Sequence, residues 1–438
     1  MAFICQWKAH LSHKRKSASN YIPINMKQSL LIILSLLLLQ CSVPVQHNLE
    51  IEVVEAMRGS DSDFILTQAR AAAIPDGKGS YNGLMTMSQK LKSGDDVYYD
   101  LYQSHSVDGG KTWSKPEAIP GLGIHDLEDG DRRSMSDMTP RWHQKSGKVL
   151  NIGKSFFYTW DVRLDRSRRE VAYAVFDPAE KEWGPFQILE LPEFDTDSKL
   201  ITAPGSGCVQ FHIGKNGEVF LPVTYRAFTQ EQIDATSSET FEVQSNMKRD
   251  DIGSSVAVAR CSFDGETLTF LELGNSLTVK QGRGLGEPSL VKFEDQWFLT
   301  IRSDKTALVA TSGDGLHYVG LKEWTFDDGS KLGSYNTQQH WAVVKENLYL
   351  IYTRPDGNND HVFRHRAPLF TARVDPAMVA VQKATERVCI PEDGVALGNF
   401  GVTLVDKNEV WVVSSEYHRD DSPGNKNRVW VAKVSKHK

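Results

Sequence analysis

The chain is poor in cysteine. It also has no long amphipathic helix pattern, no basic excess and no apolar run long enough to cross a bilayer. Of its 5 cysteines, Cys208, Cys261 and Cys389 are scattered through the body without CxxC spacing. That excludes a disulfide framework and a zinc site, and the three read as buried apolar residues. Fifty basic residues stand in mixed order against 56 acidic ones, for a net charge of −6. This is not the basic footprint of a nucleic-acid binder. The apolar stretch Leu30–Leu39, broken by Ser35, is too short for a membrane-spanning helix and suits the core of an export signal.

That signal reads from Met26, and the residues before it look like an over-called start or a long basic leader region. Leu38-Leu39-Gln40-Cys41 resembles a bacterial lipobox, which would make lipidated Cys41 the mature N-terminus and the chain's contact with a membrane. The expected organisation is a signal over 1–41, a linker or closing strand over 42–60 and the folded body over 61–438. The expected location is the periplasm or cell surface of a bacterium.

What the body does contain is short strands. "VYYDLYQSHS", "EVAYAVFDP", "SSVAVARCSFDG", "QWFLTIRSD", "NLYLIYTR" and "EVWVVSSEY" are β-branched or aromatic runs, each bounded by Gly, Asp, Asn or Pro. Turns of related shape follow a strand at Ser106, Ala174, Ser262, Ser312 and Arg373, spaced 68, 88, 50 and 61 residues apart. A repeat near 50–60 residues fits one four-stranded sheet per repeat, as in a propeller blade. The wide gap holds a polar inserted loop over 228–251. With a last repeat from Leu397, the expectation is an all-β, six-bladed β-propeller of four-stranded antiparallel blades, with a strand near Leu49–Val54 able to close the ring. In "SVDGGKTW" the Asp would accept bonds from following backbone N–H groups, the glycines would supply positive φ and the Trp would pack under the turn. Lys111 and Thr112 are not calcium ligands, and no helix follows as a phosphate loop would need.

Ser106–Trp113 resembles the Asp-box of the sialidase (neuraminidase) superfamily, and further motifs follow in that family's order. "ARAAAIPDGKG" resembles its first arginine motif (Arg70), "GEPSLVKFEDQWFLTIRSD" its Glu–Arg motif (Glu287, Arg302) and "FRHRAPLFTARVD" its third arginine motif (Arg366). Arg354 and Arg364 are weaker alternatives for the third. The resemblance implies an exo-α-sialidase in which Arg70, Arg302 and Arg366 hold the substrate carboxylate, for which a guanidinium fork is suited. Asp95 or Asp96, with Asp96 bordering the strand, would be the proton donor. Glu287 would polarise the nucleophile or buttress an arginine, and Asp137 and Tyr335 would contact substrate.

One departure is plain. The family's Tyr nucleophile is replaced here by Asn399-Phe400, so Gln339 and His340 are the working candidates for nucleophile or base, although neighbours on a strand point to opposite faces. Gly207 and Gln210 are expected near the funnel. Glu416 resembles a structural Glu, and His143 and His212 read as structural. No metal or organic cofactor is implied, and the acidic loop His125–Asp131 reads as solvated. The expected partner is a sialylated glycan or another acidic sugar such as a uronide. A lyase or a non-catalytic glycan-binding propeller remains open.

Overall fold

In the computed structural model of the chain, residues 49–59, 63–92, 96–159, 162–163, 168–235, 253–417 and 427–436 are described. The expected signal segment with Cys41, Asp95 and most of the 228–251 stretch lie outside them. Among the described residues the regular structure is strand, with one short α-helix at Gln230–Ala235 and two single 3₁₀ turns.

Six antiparallel sheets form a β-propeller. Blade one is built from Phe64–Pro75, Tyr81–Leu91, Tyr98–Ser106 and Glu117–Ala118; blade two from Arg132–His143, Lys148–Thr159, Val171–Asp177 and Glu182–Trp183. Blade three uses Leu200–Gly205, Val219–Phe228, Ser255–Phe263 and Leu268–Leu273, and blade four Gly286–Phe293, Gln296–Arg302, Leu308–Ser312 and Val319–Glu323. Blade five uses His340–Val344, Asn347–Tyr352, Leu369–Asp375 and Ala380–Val381. Blade six combines Gly401–Leu404, Glu409–Ser415 and Arg428–Lys436 with Leu49–Arg58 from the other end of the chain. That last pairing runs from Leu49 against Lys436 to Arg58 against Arg428 and joins the two ends of the described chain in one sheet.

Buried Val, Ile, Leu and aromatic side chains fill the spaces between neighbouring blades. Leu150, Tyr173, Leu221 and Phe263 join blades two and three, and Phe298, Trp324, Trp341 and Phe370 join four and five. The innermost strands lie side by side and are tied by polar bonds. Thr139 Oγ1 donates to the Val209 carbonyl (2.9 Å), Trp341 Nε1 to the Ser289 carbonyl (2.9 Å) and Thr403 Oγ1 to the Ala71 carbonyl.

The repeated turns all join the third to the fourth strand of a blade. Asp108, Asp177, Asp264, Asp314 and Asp375 each accept a backbone N–H three residues on or nearer. At Ser106–Trp113 the Asp108 carboxylate takes the amides of Lys111 and Thr112 (3.1 and 3.0 Å) and the Thr112 hydroxyl (2.6 Å). Gly109 and Gly110 have φ of 72° and 79°. Trp113 packs edge-on to Trp411 of blade six, with ring centroids 6.0 Å apart.

The Thr112 hydroxyl and amide hold the Asp108 carboxyl down at about 2, against an ordinary 3.8. A lowered carboxyl contributes stability that is full above its ordinary value and is lost as pH falls through the folded one. Asp108→Ala is therefore expected to cost about 1 kcal/mol near neutrality. In urea melts the gap to wild type should close as pH is lowered from about 4 to 2; a gap independent of pH would refute this account.

Candidate active site

On the innermost strands of blades one to four the antiparallel register slips at equivalent places. The slips lie between Thr67 and Arg70, Ser136 and Thr139, Thr202 and Gly205, and Gly286 and Ser289. Each contains one non-glycine residue in left-handed backbone: Gln68 (φ 58°), Asp137 (57°), Ala203 (45°) and Glu287 (44°). Bulges of this kind turn a side chain off the pleat, and a left-handed non-glycine residue costs roughly 1–3 kcal/mol. Three of the four are polar, and with their neighbours they assemble one charged cluster.

The cluster is built around arginines from three blades. Arg302 ends the second strand of blade four and forms an ion pair with Glu287, the two side chains being 11% and 16% exposed. Its other amino group donates to Asn336 Oδ1 at 2.7 Å. Arg366, from the loop between the second and third strands of blade five, donates to the Asn336 carbonyl at 3.3 Å. Arg70, on the first strand of blade one, donates to the Gln68 carbonyl at 3.2 Å. A β-carbon on Gly401 would sit 2.6 Å from Arg70 Cγ, so glycine leaves room for this side chain. Arg70 Nε and Nη2 and Arg366 Nε are buried with no hydrogen-bond partner, as are Glu287 Oε2 and Asp137 Oδ1.

Lys154 is a fourth cation that the sequence reading did not single out. Its amine lies 2.7 Å from Asp137. Gly207 passes close by: a β-carbon there would meet Lys154 and Asp137 at 2.6 and 2.9 Å. Burial pushes the Glu287 carboxyl up, but Arg302, then Lys154, outweigh it and the net shift is downward. Burial and then Arg302 press Arg366 down to about 10, which leaves it charged at neutrality. Arg70, Arg302, Arg366 and Lys154 thus outnumber Glu287 and Asp137, while the adjoining Arg283 is matched by Asp304, and the surplus suits an anion.

Asp96 connects to this cluster through a chain of side chains. Tyr98 Oη donates to Asp96 Oδ1 (3.2 Å) and accepts from Gln68 Nε2 (3.1 Å). Gln68 Oε1 accepts from Cys208 Sγ (3.7 Å), and that sulfur accepts from Asn399 Nδ2 (3.1 Å). Cys261 and Cys389 are buried and free, but Cys208 corrects the expectation of an apolar cysteine because its thiol links blades one, three and six. Burial, reinforced by Asp137, raises that thiol well above its ordinary range.

Gln339 and His340 do not form a nucleophile–base pair in this geometry. Gln339 accepts from Thr300 Oγ1 (3.2 Å) and donates to Ser334 Oγ (3.0 Å) and the Thr337 carbonyl (2.6 Å). His340 has Nδ1 2.7 Å from Ser289 Oγ and Nε2 2.9 Å from the Phe400 carbonyl, so both ring nitrogens tie blades together. Gln338, passed over in the sequence, donates to the same carbonyl at 3.1 Å. Gln338 and His340 thus share one acceptor, whereas Gln339, in the loop before the strand, bonds a different set of groups.

The remaining candidates separate clearly. Tyr335 Oη lies 2.9 Å from His365 Nδ1, and the next residue, Asn336, accepts from three arginines. Arg354 is paired with Glu386, and Arg364 lies over the Phe363 ring. Glu416 is buried and accepts the Arg428 amide at 3.1 Å. His143 bonds Ser146 and the Gly217 carbonyl, His212 packs on Trp297, and Gln210 bridges to the Trp341 backbone. In the acidic loop, Asp129 and Asp131 meet Arg168. Among the described residues no group of three or more His, Cys, Asp or Glu side chains could hold a metal ion.

Burial and the charge of Arg70 push the His340 imidazole down to about 3, from an ordinary 6.5. The folded protein therefore keeps a neutral ring that the unfolded chain protonates. Stability from this site is full above about pH 6.5 and falls as pH drops toward 3. His340→Ala is expected to cost about 2–4 kcal/mol in urea melts by stranding its partners and leaving a cavity. An imidazole whose NMR signals titrate near 6.5 in the folded protein would contradict the assignment.

Comparison with known proteins bears on the fold. No family model matches the chain, and no curated protein matches it. Among solved structures it is similar to a Dyadobacter fermentans protein of unknown function, with 15% identity and TM-score 0.57, over 89% of this chain and 100% of that one. It is also similar to the Trypanosoma rangeli sialidase, with 15% identity and TM-score 0.55, over 87% of this chain and 59% of that one. The NanB sialidase from Streptococcus pneumoniae aligns with 12% identity and TM-score 0.55, over 87% and 70% of the two chains. The chain thus spans about three fifths of the Trypanosoma enzyme. At these identities the likeness establishes a sialidase-like propeller fold.

Proposed function

We propose that the chain is an exo-acting glycosidase that releases a terminal sialic acid from glycans. The observation that carries this reading is the set of Arg70, Arg302 and Arg366, brought together from three blades, with guanidinium N–H groups buried and unpartnered on Arg70 and Arg366. Leaving such donors unmet costs about 1–3 kcal/mol each, a cost that a bound carboxylate removes. In sialic acid the carboxylate sits on the anomeric carbon, so holding it also positions the reacting centre. Asp96 serves as proton donor to the leaving oxygen. Glu287 holds Arg302 in place, and Asp137 with Lys154 contacts substrate hydroxyls. The likeness to sialidases in fold supports the same substrate class.

A second reading rests on Asn399-Phe400, where the resemblance to the sialidase superfamily leads one to expect the nucleophilic tyrosine. On that reading the arginines recognise another acidic sugar, such as a uronide, or only bind a glycan. Fluorogenic sialosides and uronides assayed with wild type and Arg302→Ala separate the three. The expected result is release of sialic acid by wild type, falling by more than about 100-fold in Arg302→Ala. Turnover of uronides alone would replace the substrate, and no turnover of either would reduce the protein to a binder.

A further inference from the structure

We propose that Tyr335, with His365 as its base and Asp360 orienting that base, is the nucleophile that takes the place of the missing tyrosine at Phe400. The proposal rests on the glycosidase reading above. The phenol oxygen lies 2.9 Å from His365 Nδ1, and His365 Nε2 lies 3.3 Å from Asp360 Oδ1. With Nε2–H donating to the carboxylate, Nδ1 is the acceptor for the phenol proton, which is the nucleophile, base and orienting-acid order of an activated hydroxyl.

The placement is as specific as the bonding. Tyr335 immediately precedes Asn336, whose side chain takes Arg302 and Arg283 and whose carbonyl takes Arg366. His365 immediately precedes Arg366 itself. Tyr335 and His365 thus belong to the two segments, joined by the phenol–imidazole bond, that also carry Asn336 and Arg366 of the arginine cluster. Left-handed backbone at Asn336 (φ 50°), Arg364 (53°) and His365 (51°) shapes both segments. Three such residues, none of them glycine, are costly unless the surroundings need that geometry. The other tyrosines near the cluster are otherwise engaged. Tyr98 is buried between Gln68 and Asp96, and Tyr417 stacks on Phe363 with the Arg366 guanidinium 5.5 Å from its ring centroid.

The chemistry balances in two displacements. First, the Tyr335 proton passes to His365 Nδ1 as the phenol oxygen bonds to the anomeric carbon. The glycosidic C–O bond breaks, and its oxygen leaves with the Asp96 proton. Then Asp96, now a carboxylate, takes a proton from water as the water oxygen bonds to the anomeric carbon. The tyrosine oxygen leaves and recovers its proton from His365.

The test uses a fluorinated sialosyl fluoride, whose glycosyl–enzyme intermediate breaks down slowly. Wild type incubated with this probe is digested and analysed by mass spectrometry, alongside steady-state kinetics of the variants on an aryl sialoside. The expected result is an adduct on Tyr335. In Tyr335→Phe, which removes one oxygen, kcat should fall by about 10³-fold or more with KM little changed. His365→Gln should lose about 10²–10⁴-fold in kcat. Asp360, largely solvent-exposed at 95%, acts only as a positioning residue, and Asp360→Asn should lose about tenfold or less in kcat at constant KM. An adduct on another residue, or a folded Tyr335→Phe within about threefold of wild type, overturns the assignment and leaves the glycosidase reading standing. A wild type that turns over no acidic glycoside overturns both.

Discussion

The site depends on one backbone irregularity, repeated around the ring. In blades one to four the innermost strand slips register by a bulge, and the residue within it adopts left-handed backbone. A strand without the slip would alternate strictly between its two faces. The slips accompany the meeting of Asp137 with Lys154 and of Glu287 with Arg302 across its own blade. Their conformational cost is borne by the ring, whose blades interlock through buried aromatic and aliphatic layers and whose last blade is completed by Leu49–Arg58.

Charge follows from that geometry. Arg302 and Glu287 compensate each other, and Lys154 and Asp137 do the same, so each pair tolerates its low exposure. Arg70 and Arg366 are left with buried donors unmet by protein. A fold that needed these side chains only for stability would be better served by apolar residues of similar volume. An arrangement that holds cationic donors ready costs stability in the free protein and recovers it when an anion binds.

The same irregularities mark the limits of what could be read beforehand. The blade count was legible because turn chemistry is local: Asp, Gly and Ser at short spacing specify the third-to-fourth-strand turn whatever packs around it. The arginines were legible because each stands in its own motif. Lys154, Asn336 and Cys208 stand in none. Lys154 matters because Gly207 of the next blade opens a space for it, Asn336 because arginines from two blades converge on it, and Cys208 because Gln68 and Asn399 reach it from far along the chain. Gln339 and His340 were joined by adjacency, but Gln339 lies in the loop before the strand that His340 opens, and their side chains enter different hydrogen-bond networks. Tyr335 and His365 lie 30 residues apart, and no local pattern links them.

From its sequence alone this chain determined an all-β repeat and six blades, because hydrophobic alternation and turn residues act over a few neighbours. Tertiary structure alone decided which polar side chains share the centre. That outcome rests on bulges that break the alternation and on ring closure that brings remote segments into contact, and neither is encoded by any short stretch.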